Sequence, residues 1–154
     1  MAFNFSPKIV RDGLVLALDA ANTKSYPGSG TTWSDLSGNS NNGTLTNGPT
    51  FNSGNNGAIV LDAVNDYISG QHNWNRDNFT YLWFINPVNT SNWGPAFTIG
   101  VGWGDFTWHS TLEGSIYAGT DVNTRLTPSS NGCGTGVVPI NTWQNWTCTF
   151  SSNG

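Results

Sequence analysis

Phe79-Thr80-Tyr81-Leu82-Trp83-Phe84-Ile85 is the stretch on which the fold turns. A period of two puts Phe79, Tyr81, Trp83 and Ile85 on one side and Leu82 and Phe84 on the other. Aromatic residues dominate it, as they do in strands. Apolar side chains on both sides predict a central strand with both faces covered, the core of a sandwich. A ligand platform is the other use to which such a strand can be put.

Working outward, Ala58 to Leu61, Asp66 to Ser69, Pro95 to Ile99, Ser115 to Ala118 and Trp143 to Phe150 read as short strands separated by turn residues. On the last of these, Trp146, Cys148 and Phe150 share one face, and Thr147 and Thr149 share the other. Nearer the N-terminus, Leu14-Val15-Leu16-Ala17-Leu18-Asp19 reads as a first strand. Ala20 to Asp35 reads as a long polar connection, punctuated by Pro27-Gly28-Ser29-Gly30 and anchored by Trp33. Ser37 to Gly43 reads as a second irregular segment. Asn42-Gly43, Asn47-Gly48 and Asn56-Gly57 are signals for hairpin turns that need positive φ.

Many short strands with Gly, Asn and Pro between them predict an all-β fold, an antiparallel two-sheet jelly-roll sandwich. Residues 1–12 read as an N-terminal arm or as the sandwich's own edge strand, and residues 13–154 as the jelly-roll domain. Ser151-Ser152-Asn153-Gly154 opens a turn, so C-terminal strands of the roll are expected to follow it.

The composition agrees and narrows the function. The chain has 154 residues, enough to bury a core without staples. Charged residues make up 9% of it, against about 25% in an ordinary soluble domain. With 21 Asn, 18 Thr and 19 Gly, its surface must be built of amides, hydroxyls and backbone. Five Lys and Arg against nine Asp and Glu give a net charge of −4, which argues against binding a run of phosphates in nucleic acid. No apolar run approaches the roughly 20 residues that span a bilayer, and the first residues lack the basic and apolar regions of a signal peptide. Gly, Asn, Thr and Ser are poor helix formers, which argues against a helical bundle.

Three stretches carry a family likeness. They are Ser6-Pro7-Lys8-Ile9-Val10-Arg11-Asp12-Gly13 running on through Leu14 to Asn22, Ser25-Tyr26-Pro27-Gly28-Ser29-Gly30 running on through Trp33-Ser34-Asp35-Leu36-Ser37-Gly38-Asn39, and Asn42-Gly43-Thr44-Leu45-Thr46-Asn47-Gly48-Pro49 running on to Leu61-Asp62-Ala63-Val64-Asn65-Asp66-Tyr67-Ile68. Together they resemble the laminin-G-like, concanavalin-A-like jelly-roll domains of tailed-bacteriophage virion proteins, above all those of marine and cyanobacterial phages. The likeness is close over residues 6–69 and looser from Phe79 to Phe150, where the strand order and Trp143-Gln144-Asn145-Trp146 carry it. Leu61 and Ala63 depart from it, standing where those domains usually have an aromatic residue and a glycine. So does the missing Tyr-Val-Asn-Gly strand after the final hairpin.

The resemblance implies a non-enzymatic virion structural protein, a capsid decoration or fibre-type surface protein. Its partners would be other virion proteins, capsid or tail subunits, and it would stand in many copies or as a homo-oligomer at the virion surface. The rival expectation is a carbohydrate-binding adhesin for host surface glycans.

Retaining glucanases of this superfold need paired carboxylates about 5–5.5 Å apart. The chain has a single Glu, Glu113, with no acid two residues to either side, so that mechanism is excluded. Asp105, His109 and Ser110 lie close in sequence, but adjacent strand residues face opposite ways and cannot form a local triad. His72 reads as a solvated turn residue.

Asp62, Asn65 and Asp66 are candidate calcium ligands, since relatives of the fold often hold one calcium at the rim with carboxylates and carbonyls. The alternative is that these residues cap a tight turn. No other cofactor is expected, and paired zinc-ligand spacing is absent.

Trp74, Trp93, Trp103 and Trp108 sit in or beside Gly/Asn-rich segments and are candidate sugar-stacking rings, Trp103 first among them. Burial in the core is the alternative. Cys133 and Cys148 can reach each other as a disulfide, although assembly of a virion in bacterial cytoplasm favours free thiols. Asn78-Phe79-Thr80 and Asn145-Trp146-Thr147 are chance sequons in a chain this rich in Asn and Thr.

Overall fold

The computed structural model describes residues 9–70, 78–88, 94–98, 107–110, 116–119, 125–126 and 140–151. The fold is all-β: among the described residues it has strands, irregular segments and one short 3-10 turn, Gly54–Asn56. The chain divides into two compact units, Met1–Arg76 and Asp77–Gly154.

The first unit holds β1 (Thr32–Trp33), β2 (Gly43–Thr46), β3 (Thr50–Asn52), β4 (Ala58–Val60) and β5 (Tyr67–Ser69). β2 is the middle of an antiparallel sheet ordered β1-β2-β5, and β3 pairs with β4 as a hairpin. Period two buries Gly43 and Leu45 of β2 while Thr44 faces out. Leu45 is opposite Ile68 in the register.

Gly43 stands where packing is tight, and not in a turn. A Cβ there would lie 3.3 Å from both Ile68 Cγ2 and Leu18 Cδ1. Tyr26 is the other buried apolar side chain among the described residues; its ring centroid is 5.6 Å from that of Phe51, and its hydroxyl donates to Gly30 O at 2.8 Å.

The Asn-Gly steps have three different outcomes. Asn56 and Gly57 take φ 70 and 122 and close the β3–β4 hairpin, as their sequence predicts. Asn47 and Gly48 also take positive φ, 70 and 115, but they join β2 to β3, which lie in different sheets. Asn42-Gly43 is not a turn at all, because β2 begins at Gly43 and pairs it with Trp33. Tertiary packing against Leu18 and Ile68 overrides the local preference there.

The expected strand Leu14–Asp19 is also corrected: no strand forms in it. Its backbone groups are met mostly by side chains of the next loop instead of by a ladder. Asn39 Nδ2 donates to Leu14 O at 2.9 Å, Asn41 Nδ2 donates to Val15 O at 2.9 Å, and Ala17 N–H donates to Asp35 Oδ1 at 2.9 Å. Backbone bonds are scattered rather than laddered: Leu36 N–H donates to Ala17 O at 2.8 Å, Leu14 N–H to Arg11 O at 3.1 Å and Asn22 N–H to Asp19 O at 3.1 Å. A strand is defined by a repeated backbone ladder, and here amides and a carboxylate have taken that place.

The second unit holds β6 (Asn78–Ile85), β7 (Gly94–Thr98), β8 (Thr107–Ser110), β9 (Ile116–Gly119), β10 (Arg125–Leu126) and β11 (Gln144–Ser151). β7 to β10 form an antiparallel meander in the order β10-β9-β8-β7. Pro95 lies on β7, at the end of that order, where the register slips between Pro95 and Phe97. A proline has no N–H for a ladder and is tolerated at such edges and bulges.

β6 and β11 pair antiparallel along their whole length, from Asn78 opposite Ser151 to Ile85 opposite Gln144. The alternation predicted for β6 is present. Phe79, Tyr81, Trp83 and Ile85 are half-buried, and Asn78, Thr80, Leu82 and Phe84 are exposed. The expectation that both faces are covered is overturned: Leu82 is 58% and Phe84 66% exposed. Among the described residues β6 has β11 as its only strand neighbour. On the half-buried face the Phe79 and Tyr81 rings meet edge to face, centroids 5.1 Å apart.

Candidate functional site

Asp62, Asn65 and Asp66 are brought together in the turn between β4 and β5. Asp62 Oδ1 accepts the N–H of Val64 at 2.8 Å and those of Asn65 and Asp66 at 3.3 Å each. Asp66 Oδ2 returns the arrangement by accepting Asp62 N–H at 3.0 Å. The Val64 N–H, with those of Asn65 and Asp66, holds the Asp62 carboxyl below the usual carboxylate range, against a smaller opposing effect of desolvation. Asn65 O accepts Asn47 Nδ2 at 2.7 Å, tying this turn to the Asn47-Gly48 turn.

Three of the oxygens that would serve a cation therefore already serve N–H donors. Asp66 Oδ1 is shielded from solvent and has no hydrogen-bond partner. The geometry is that of a capped turn, and the described residues contain no group of three or more His, Cys, Asp or Glu arranged to hold a metal ion.

Ala63 sits at the tip of this turn with φ 61, a left-handed conformation that costs an L side chain about 1–2 kcal/mol. This is the position at which the resembling domains carry glycine.

Trp74, Trp93 and Trp103 lie outside the described residues, as do His72, Asp105, Glu113 and Cys133. Trp108 lies on β8, opposite Phe97 on one side and Ala118 on the other. His109 and Ser110 are successive residues of the same strand. Cys148 lies on β11, opposite Tyr81.

A second polar centre lies around Asp35. Asp35 Oδ1 accepts the N–H of Ala17 and of Ser37, both at 2.9 Å, while Oδ2 accepts the Ser37 hydroxyl at 2.6 Å and Asn41 N–H at 3.0 Å. Burial raises the Asp35 carboxyl, but these donors outweigh it and hold the group below its ordinary range. Beside it, the fully buried Ser25 donates its hydroxyl to Ser34 O at 2.6 Å and accepts Asp19 N–H at 3.1 Å. The signal was present in Asp35-Leu36-Ser37, a spacing that favours a side chain folding back on the backbone two residues on. Its long-range partner, Ala17, had no local sign.

Comparison of the chain with protein-family models, with characterised proteins and with solved structures finds no match. Among the described residues no helix is long and apolar enough to cross a membrane.

Proposed function

We propose that this chain is a non-enzymatic structural protein of a tailed-phage virion, displayed at the particle surface as a capsid decoration or fibre-type protein in a laminin-G-like jelly roll. The resemblance over residues 6–69 carries this reading. Its motifs include a closely hydrogen-bonded segment: the side chains of Ser25, Asp35, Ser37, Asn39 and Asn41 bond to backbone groups of residues 14–41. Ala63 supports the reading from its departure, since its φ of 61 suits the glycine of the resembling domains. Its partners are then other virion proteins and further copies of itself.

The test is location. Cryo-electron microscopy and immunogold labelling of purified particles are expected to find the chain in many copies on the outside of the virion. Particles that lack it overturn the reading. Ile9 and Val10 are 52% and 78% exposed, and in this reading they belong to an arm that docks on a neighbouring subunit. Deleting residues 2–10 is then expected to abolish incorporation while the remaining domain stays folded; normal incorporation of the shortened chain overturns the arm.

A further inference from the structure

The Asn-Gly steps at Asn42, Asn47 and Asn56 lie among the described residues, and the structure holds them to different degrees; Asn131-Gly132 and Asn153-Gly154 lie outside those residues. Asparagine before glycine is a reactive pair, because no Cβ on the glycine hinders its backbone nitrogen from reaching the asparagine Cγ. A bond forms from the glycine nitrogen to Cγ, the bond from Cγ to Nδ2 breaks, and ammonia leaves carrying the glycine N–H proton. Water then opens the cyclic imide at either carbonyl, giving an aspartyl or an isoaspartyl residue with a new carboxylate. The attack requires the two atoms to approach within about 3–3.5 Å in the right orientation. A glycine nitrogen that is held elsewhere therefore reacts slowly.

Asn42 is held most. Its Oδ1 accepts Asp35 N–H at 2.9 Å, and Gly43 is buried in β2 opposite Trp33, so attack there has to break into the sheet. Asn56 is exposed, but Gly57 N–H donates to Gly54 O at 3.1 Å, and a Cβ on Gly57 would lie 2.8 Å from Ala20 O. Asn47 and Gly48 are both exposed, with φ 70 and 115. The Gly48 N–H makes no hydrogen bond among the described residues, and a Cβ there would meet only Asp66 Oδ1, at 3.9 Å. The one bond of the Asn47 side chain runs from Nδ2 to Asn65 O at 2.7 Å. It engages the leaving nitrogen and not the carbon under attack, and it strengthens as that nitrogen takes up a proton and gains positive charge. We propose that Asn47 is a site of spontaneous deamidation, the fastest of these three, and that its conversion frees the Asp62–Asp66 turn from the Asn47-Gly48 turn. The new carboxylate has no N–H to give Asn65 O, and it adds a negative charge beside Asp62 and Asp66. This inference does not rest on the virion reading, which particle location tests separately.

The experiment ages the full chain in mildly alkaline buffer, folded and in denaturant, and follows each asparagine by peptide mapping in a mass spectrometer, with isoaspartyl residues identified by enzymatic methylation. In the folded chain Asn47 should convert at least about threefold faster than Asn56, the factor that releasing one backbone hydrogen bond is worth, and faster still than Asn42. In denaturant that order should vanish, because all three share the same dipeptide. Conversion of Asn42 or Asn56 ahead of Asn47 in the folded chain overturns the proposal, and so does an order that persists in denaturant. Release of the turn is read by amide hydrogen exchange in Asn47→Asp. The Val64, Asn65 and Asp66 N–H groups should exchange at least about threefold faster than in the parent chain, while the N–H groups bonded to Asp35 keep their protection and report that the unit remains folded. Unchanged exchange at Val64 to Asp66 overturns the release.

Discussion

The Asp35 centre of the first unit and the β6–β11 ladder of the second meet the same requirement by opposite means. Every buried backbone N–H and C=O needs a partner. The ladder supplies them in a repeating register over eight residues of each strand, and its side chains remain free to form two faces. Around Asp35 the strands are two to four residues long, and carboxylate, hydroxyl and amide side chains supply what the backbone does not. The first arrangement is tolerant, because one side chain changes one contact. The second is concentrated, because one side chain holds several.

That contrast can be broken by substitution, and the largest effect belongs to Asp35. Asp35→Ala removes four donors' acceptor at once and should destabilise the first unit by about 2–4 kcal/mol in denaturant unfolding. A cost no greater than that of an exposed surface change would show that the loop does not depend on this carboxylate. The same group makes stability pH-dependent. Its native pKa is depressed, so its contribution is complete above the ordinary aspartate value of about 3.9 and is lost as the pH falls through the lowered native value. Asp35→Asn should flatten that acid limb in a pH series of unfolding curves.

Gly57→Ala comes next. The new Cβ would lie 2.8 Å from Ala20 O, in a residue at φ +122, and should cost about 2 kcal/mol. Gly13→Ala is the control, because at φ +73 it meets nothing within 4 Å and should cost only about 1 kcal/mol of backbone strain. Equal losses would mean that the close approach to Ala20 adds nothing.

Ala63→Gly should move the other way. It relieves a left-handed alanine and is expected to stabilise by up to about 1 kcal/mol, seen as a raised Tm. A loss of stability would mean that the alanine methyl makes a contribution larger than its strain.

Thr149→Val on the exposed ladder face should change stability by less than about 0.5 kcal/mol, and a double-mutant cycle with Thr80→Val should return a coupling of roughly 0.2–1 kcal/mol. A larger coupling would make the ladder as concentrated as the Asp35 loop and erase the contrast.

Periodicity made the two long strands of the second unit legible, whereas the short β8 and β10 were not predicted. Phe79 to Ile85 and Trp143 to Phe150 were predicted within a residue of where β6 and β11 lie, because alternation over eight residues is a local property. The short strands β1, β2 and β3 were missed for the complementary reason. Two to four residues such as Thr32-Trp33 carry no period, and their pairing depends on partners distant in sequence. Leu14–Asp19 misled in the opposite direction: its apolar run looked like a strand, but its hydrogen-bonding partners came from side chains of residues 35–41. Of the candidate site residues, Asp62 and Asp66 were legible as a turn from their spacing alone. Leu82 and Phe84 were legible only as apolar residues, since exposure is not a property of the residue itself.

The sequence by itself determined the all-β class, the alternation of β6 and β11, and the poverty of charge. These follow from propensity, period and composition, which act locally. Only the tertiary structure decided that Gly43 is a packing residue and not a turn, that Asp35 reaches back to Ala17, and that one face of β6 is open. Each of those depends on what lies across from a residue, and two segments far apart in the chain must meet before that is defined.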